Sequence, residues 1–204
     1  MEYKAVIIVP VEGRKSTCCI LTIGVDNSWR TVGSECESLQ NKEFFNTPLI
    51  TEGFVHWYNI NTNDVLTMNV ETEIITDTSG PTHRVVNGNR QNMFLSTGIY
   101  LSLLIPCGEF CWEVWEMKPK IDYRWRKVCD ISLEAHKCTT FQRFGINERN
   151  FLIPSGWLKY PEVLVLRIGS QTFVFNLLTQ EIVTIELPMS RYIYKIVVHK
   201  NSLV

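Results

Sequence analysis

The sequence predicts an all-β fold, and three features of the chain carry that prediction. Its apolar runs are short and rich in β-branched and aromatic residues. Clusters of Gly, Asn, Asp and Ser separate these runs, as turns do. The pattern of strands and turns recurs in four copies, and a period of roughly 45–55 residues in an all-β chain is typical of propeller blades. We therefore expect a propeller-like (kelch-like) partial ring of about four antiparallel repeats.

Each copy contains three predicted strands, with a tight polar turn between the second and the third. The first two copies comprise Tyr3–Val11, Cys18–Val25 and Trp29–Gly33, then Gly53–Ile60, Asp64–Val70 and Ile74–Thr78. The last two comprise Gly98–Ile105, Phe110–Met117 and Tyr123–Ile131, then Glu162–Gly169, Thr172–Leu178 and Glu181–Pro188. A further strand is predicted at Tyr192–His199. Since neighbouring sheets cover both faces of a blade, strands such as Leu101–Ile105 can carry apolar residues on both faces and need not alternate between apolar and polar positions.

Three tryptophans lie close together in the third copy, at Trp112, Trp115 and Trp125. They could line a site for a ligand or a nucleic acid, or they could be packing residues of a repeated unit. Trp112 and Trp115 differ by an odd number of positions, so they project to opposite faces of one strand. Trp115 and Trp125 flank a turn and could meet across the hairpin. A packing role is the favoured interpretation.

The charge balance argues against nucleic acid or a membrane surface as a partner. The net charge is −1 and the pI is near 6.4, so no basic field is present. Arg124, Arg126 and Lys127 form a small cluster, but alternating Arg and Trp also describes a half-exposed strand. No stretch approaches the ~18–20 apolar residues of a membrane span.

The cysteines indicate a reducing compartment. The chain has seven, an odd number, at irregular spacings and with no secretory pattern at its start. We therefore expect free thiols and a cytoplasmic or nuclear location.

Signals for catalysis and for metal binding are weak. The four histidines are scattered, and none accompanies a nucleophile motif; a packed structural role is favoured for His56. The best zinc candidates are Cys107, Cys111, Cys129, His136 and Cys138, whose spacing lacks the usual Cys-x-x-Cys knuckle. We expect no enzyme activity, no metal and no cofactor.

Three long polar stretches separate the repeats, at Ser34–Thr47, Asp77–Asn92 and Ser132–Asn150. Long connections in a compact β-domain are commonly functional, although each could also be a solvated insertion. From composition alone we assign partner-binding roles to Arg84, Asn87, Arg90, Phe141 and Arg143, because Arg and aromatic residues often anchor interfaces.

Several motifs resemble, in order, the F-box-associated domain of plant F-box proteins. They are "EYKAVII" with "CILTIGVDNSWRTVG", "EGFVHWYN", "DVLTMNVETEII", "FCWEVWEMK…WRKVCDIS" and "FVFNLLTQEI". The resemblance covers about Tyr3 to His199, so the whole chain, 1–204, is interpreted as one such interaction domain that is incomplete at its N-terminus. Asn176 replaces the family's usual Asp, and Leu177-Leu178 replace more polar turn residues, which leaves open whether this turn is covered.

The resemblance implies a substrate-recognition domain of an SCF-type ubiquitin ligase, which captures the protein to be ubiquitinated. In the family an F-box ahead of this domain binds a Skp-type adaptor. No F-box precedes "EYKAVII", so adaptor binding is expected only if a longer form supplies one. The alternatives are a free-standing binder or competitor, and a small-molecule-binding or enzymatic propeller. A partial ring also leaves sheet edges open to self-association.

Overall fold

The computed structural model confirms the all-β fold. It describes residues 3–11, 15–34, 36, 39, 47–59, 63–81, 92–136, 152–169 and 171–185. In these ranges the chain forms fifteen β-strands in four antiparallel sheets, together with a short 3-10 turn at Glu134–His136. Within the same ranges, no helix has the length and apolar character that crossing a membrane requires.

Each sheet is a meander in which consecutive strands pair. Sheet A contains β1 (Lys4–Val11), β2 (Lys15–Thr22) and β3 (Arg30–Val32). Sheet B contains β4 (Leu49–Thr51), β5 (Phe54–Tyr58), β6 (Asp64–Asn69) and β7 (Ile75–Ser79). Sheet C contains β8 (Met93–Ser96), β9 (Leu101–Pro106), β10 (Cys111–Met117) and β11 (Trp125–Ser132). Sheet D contains β12 (Ile153–Lys159), β13 (Val163–Ile168), β14 (Gln171–Asn176) and β15 (Glu181–Ile185).

The chain divides into two compact units, each built around its own apolar core. The first comprises Met1–Thr82 with Pro119–Arg124, and the second comprises His83–Lys118 with Trp125–Val204. Sheets A and B enclose the first core, whose buried members include Cys18, Ile20, Trp57, Leu66 and Met68. Sheets C and D enclose the second, whose buried members include Trp112, Val114, Trp157, Leu164, Phe173 and Phe175.

Register explains why the strands of sheet B do not alternate between apolar and polar residues. Trp57 pairs with Leu66, so both side chains face the core of the first unit. His56 pairs with Thr67 on the opposite face, where both are fully buried. A strand buried on both faces reads as a continuous apolar run with occasional satisfied polar residues, as Asp64–Asn69 does.

The predicted strands overlap those of the structure, but one strand was missed in each of three sheets. The missed strands are β4, β8 and β12, and each is the first strand of its sheet. Within the described ranges, sheets B, C and D therefore have four strands each, one more than the three identified per repeat from the sequence. The predicted strand Tyr192–His199 lies outside the described residues.

Candidate partner-binding groove

A groove of about 320 Å³ opens in the second unit beside β11. One wall is the second half of β11, and the other wall is formed by the β12–β13 and β14–β15 turns. The lining is mainly apolar and consists of Val128, Cys129, Asp130, Ile131, Ser132, Pro161, Glu162, Phe175, Leu177, Leu178 and Gln180. Apolar lining with a few polar groups is the usual composition of a binding site.

Among the described strands, the β11 wall is an edge strand, and it contains a bulge. In the described chain β11 pairs with β10 only, at one end of sheet C. Val114 pairs with Cys129 and Trp115 pairs with Lys127, so Val128 is the extra residue of a β-bulge. Bulges bend an edge strand and change the direction of its side chains, and Val128 contributes to the lining of the groove.

The β14–β15 turn is held by Asn176, whose side chain fixes the position of the opposite wall. Its Oδ1 accepts hydrogen bonds from the backbone N–H of Leu178 at 2.9 Å and of Thr179 at 3.2 Å. This is the Asx-turn chemistry that Asp would also provide. The N–H of Leu177 donates to the carbonyl of Glu162 at 2.7 Å, which joins the two turns. Leu177 packs against the core, while Leu178 is 72% exposed, so in this chain the turn is open to solvent.

The acidic groups at the groove are already paired with lysines. Asp130 lies 2.7 Å from the Lys127 ammonium, which also contacts Glu113 at 2.9 Å. These two carboxylates raise the pKa of Lys127 to about 12. Glu162 pairs with Lys159. Because its charges are satisfied locally, the groove offers mainly apolar contact to an incoming group.

The groove thiol is a poor nucleophile. Burial, followed by the nearby Asp130 carboxylate, raises the pKa of Cys129. The thiol therefore stays protonated at neutral pH, whereas reactive cysteines have lowered pKa values. Cys129 acts as a partly buried apolar residue here.

A partly buried polar contact supports the β12–β13 turn from behind. The Tyr160 hydroxyl donates to Glu116 Oε2 at 2.9 Å, and Lys118 bonds the other oxygen of Glu116 at 2.8 Å. Burial, then the Glu116 carboxylate, raises the pKa of Tyr160. The Tyr160 ring also packs edge-on against Trp157, with ring centroids 5.1 Å apart. Tyr160 precedes Pro161, so these contacts fix one wall of the groove.

None of the five residues predicted to bind a partner is among the residues that the structure describes. Arg84, Asn87, Arg90, Phe141 and Arg143 all lie outside the described residues, and their predicted roles stay predictions. Sequence reasoning missed the groove itself. The signal that could have found it was Leu177-Leu178, two apolar residues in a turn.

Two of the three clustered tryptophans, Trp112 and Trp125, lie at packing positions, as predicted. Trp112 is 3% exposed in the core of the second unit. Trp115 lies on the opposite face of β10, and its indole N–H donates to Glu113 at 3.0 Å. Trp125 packs edge-on against Phe94, with centroids 6.1 Å apart. The register places Trp115 opposite Lys127 and Trp125 opposite Met117, so the two tryptophans are not directly paired across the hairpin.

His56 is a packed structural histidine, as predicted. Its Nε2 lies 2.8 Å from Thr51 Oγ1 and its Nδ1 lies 2.9 Å from Thr67 Oγ1. Burial lowers the pKa of His56 to about 4, so the ring is neutral at pH 7. A histidine beside a threonine hydroxyl could act as a base. However, His56 and Thr51 are 0% and 2% exposed, which leaves a substrate no access to the pair.

The zinc candidates lie partly in the described chain. Among described residues, no group of three or more His, Cys, Asp or Glu side chains is placed to hold a metal. Cys107, Cys111 and Cys129 are free thiols, and His136 packs edge-on against Phe175 at 5.9 Å. Cys138 lies outside the described residues.

Comparison with family models gives no match for this chain, and comparison with curated protein sequences gives none.

Proposed function

We propose that this chain is a protein-interaction module of the kind that the motif resemblance implies: the substrate-recognition part of an F-box ubiquitin-ligase subunit. Its sheets would be blades of a propeller-like arrangement. The module catalyses nothing; it holds a target protein where a ligase reaches it. Its site of action is the cytoplasm or the nucleus.

The groove beside β11 is the observation that carries this proposal. Its mouth bears Leu178, which is 72% exposed, and the lining side chains of Ile131 and Phe175 continue into the core. An apolar anchor from a partner, inserted into such a pocket, would exclude water from both surfaces. Because the acidic groups of the rim already have lysine partners, the target would supply an aliphatic or aromatic side chain.

The order of the strands supports a blade-like arrangement. Each sheet is a short antiparallel meander, and successive sheets follow one another along the chain. Propellers are built from repeated four-stranded sheets of this kind. Within each unit, facing sheets share one apolar core, as neighbouring blades do.

The test is affinity capture with a matched pair of surface variants. The tagged chain would be cross-linked in a plant-cell extract, and the captured proteins identified by mass spectrometry. Leu178→Asp should reduce the recovery of groove-bound targets at least about tenfold, since hot-spot residues contribute 2 kcal/mol or more. Ile74→Asp is the control, because Ile74 is similarly exposed, at 62%, in a turn of the first unit.

Two results would refute the proposal. One is equal recovery of every target by the wild type and Leu178→Asp, which would show that targets do not bind at the groove. The other is the absence of any specifically captured protein. Co-purification with a Skp-type adaptor distinguishes delivery to a ligase, which needs an F-box, from free-standing binding.

A further inference from the structure

The first strand of sheet A has one edge that no other described strand covers. Within the described chain β1 pairs with β2 alone, and eight residues, Lys4–Val11, present their other side outward. One face of the strand is apolar and exposed: Ile7, Val9 and Val11 are 41%, 38% and 50% exposed. A long, apolar edge strand is a ready template for another strand.

The hydrogen bonds of β1 show which backbone groups point outward. The carbonyl of Tyr3 accepts the N–H of Ile23 at 2.8 Å, so the backbone of Tyr3 faces β2. In an antiparallel pair the hydrogen-bonding direction alternates along the strand. Ile7 and Val9 therefore also face β2, while Lys4, Val6, Ile8 and Pro10 direct their backbone groups outward.

Pro10 independently supports this assignment. Proline has no N–H to give to a ladder, so within sheets it is found where its nitrogen faces an open edge. In β1 it falls on the outward-facing set with Val6 and Ile8. Val6 and Ile8 each have a backbone N–H donor and a carbonyl acceptor that point outward. Within the described chain no strand pairs with these groups.

We propose that β1 is a self-association edge, at which a second copy of the chain pairs antiparallel about a two-fold axis through Ile7. In this register Val6 and Ile8 exchange both backbone hydrogen bonds with Ile8 and Val6 of the second copy. Lys4 lies opposite Pro10 of the second copy at each end of the pairing. The N–H group that proline lacks is therefore missing only at the two ends and not at the centre. The inference depends on sheet A alone and is independent of the proposed function.

The side chains of the exposed face are also complementary to their own copy. Ile7 lies directly opposite Ile7 of the second copy, in a pair whose backbones both face away from the interface. Such pairs bring Cα atoms to about 4.5 Å and side chains into contact. Val9 then meets Ala5, and Val11 meets Tyr3. An isologous interface requires this kind of self-complementarity.

Light scattering and analytical ultracentrifugation of the full chain test the proposal. The expected species is a concentration-dependent dimer with twice the 23.7 kDa mass of the chain. Ile7→Lys and Ile7→Glu each place like charges opposite one another, and each should raise the dimer dissociation constant at least about tenfold. An equimolar mixture of the two variants should recover the dimer, since residue 7 faces residue 7. Val25→Lys, in an exposed turn, is the matched control.

Hydrogen exchange provides a second measurement on the unmodified protein. The amides of Val6 and Ile8 should gain protection as concentration rises. A monomer in which these amides are protected at every concentration would overturn the proposal, because another segment of the same chain would then cover the edge. A dimer that neither charged variant weakens, or a mixture that does not recover it, would overturn the two-fold register.

Discussion

The guanidinium group of Arg30 binds both carboxylate oxygens of Glu73 across sheets A and B of the first unit. Nη1 lies 2.5 Å from Oε2, and Nη2 lies 2.7 Å from Oε1. Lys4 Nζ also contacts Glu73, at 2.8 Å, and donates to the carbonyl of Val70. The hydrogen bonds from Arg30, then from Lys4, lower the pKa of Glu73 to about 2. The carboxylate of Glu73, in the β6–β7 turn, thus bonds the first residue of β1 and the first residue of β3.

Glu73→Gln should reduce the stability of the first unit and remove part of its acid sensitivity. Because the Arg30 side chain is 42% exposed and screened by solvent, the expected loss at pH 7 is about 1 kcal/mol. The pKa of Glu73 is lowered on folding from 4.5, so its contribution is full above pH 4.5 and is lost as pH falls toward 2. Urea unfolding of both proteins at pH 7 and at pH 3 measures the difference.

Glu71→Gln is the matched control for this measurement, since Glu71 is an exposed carboxylate in the same turn. It should leave the free energy of unfolding within about 0.5 kcal/mol of wild type. An equal loss in both variants would mean that charge in the turn, and not the contact with Arg30, accounts for the effect.

His56 should make folding sensitive to mild acid. Its pKa is 6.5 in the unfolded chain and about 4 in the folded one, so the unfolded state binds the extra proton between these values. Stability therefore falls as pH decreases from 6.5 toward 4, by about 2 kcal/mol between pH 7.5 and pH 5. Urea unfolding across this range measures the slope.

Replacing His56 with Asn or Gln tests the origin of that slope. Either variant should be less stable at pH 7.5, because Thr51 and Thr67 lose buried hydrogen-bond partners, at a cost of about 1–3 kcal/mol. Both should also lack the decline between pH 6.5 and pH 4. If the slope persisted in the variants, another group would have to be its source.

The strands that sequence reasoning found and missed differ in physical character. A run such as Val163–Ile168 is buried on both faces and rich in β-branched residues, so local pattern and tertiary burial agree. By contrast, β12 contains Pro154, Ser155 and Gly156, which read as a turn. Its pairing with β13 shifts register at this point, so a bulge accommodates those residues in the ladder. Short β4, of three residues, has too little sequence to show a period.

The groove could be predicted less well than the strands, for a different reason. Its walls come from β11 and two turns of sheet D, which are far apart in the sequence. Exposed Leu178 was visible as an apolar turn residue, but its neighbours depend on how sheets C and D pack. Composition instead predicted partner-binding residues in the long polar stretches, where Arg84 and Phe141 lie.

A hydrogen bond between Trp157 and Ser102 should be one of the stronger polar contacts of the second core. The indole N–H donates to Ser102 Oγ at 2.8 Å, and the Ser102 hydroxyl donates to the carbonyl of Leu95 at 3.2 Å. Both residues are buried. Ser102→Ala should cost about 1–3 kcal/mol, since it leaves the indole N–H without its acceptor.

A double-mutant cycle with Trp157→Phe isolates this contact. Unfolding free energies of the wild type, both single variants and the double variant give the coupling energy, which we expect to be about 1 kcal/mol. Additive losses in the double variant would show that the two side chains contribute independently, through packing alone.

Gly33 should tolerate a side chain less well than Gly24, although both have positive φ angles, +65° and +83°. A Cβ at Gly33 would lie 2.4 Å from Ile75 Cδ1 and 3.2 Å from its Cγ1, whereas a Cβ at Gly24 meets nothing within 4 Å. Alanine at either site bears the strain of the left-handed region, about 1–2 kcal/mol. Gly33→Ala should cost a further ~1 kcal/mol, because it overpacks the contact between sheets A and B.

The excess cost at Gly33 can be traced to Ile75 by shortening that side chain. Ile75→Val removes Cδ1, the atom closest to the added methyl group. In that background the difference between Gly33→Ala and Gly24→Ala should shrink toward zero, as measured by urea unfolding. A difference that is unchanged would locate the strain in the backbone at Gly33, because the clash with Cδ1 would no longer exist to account for it.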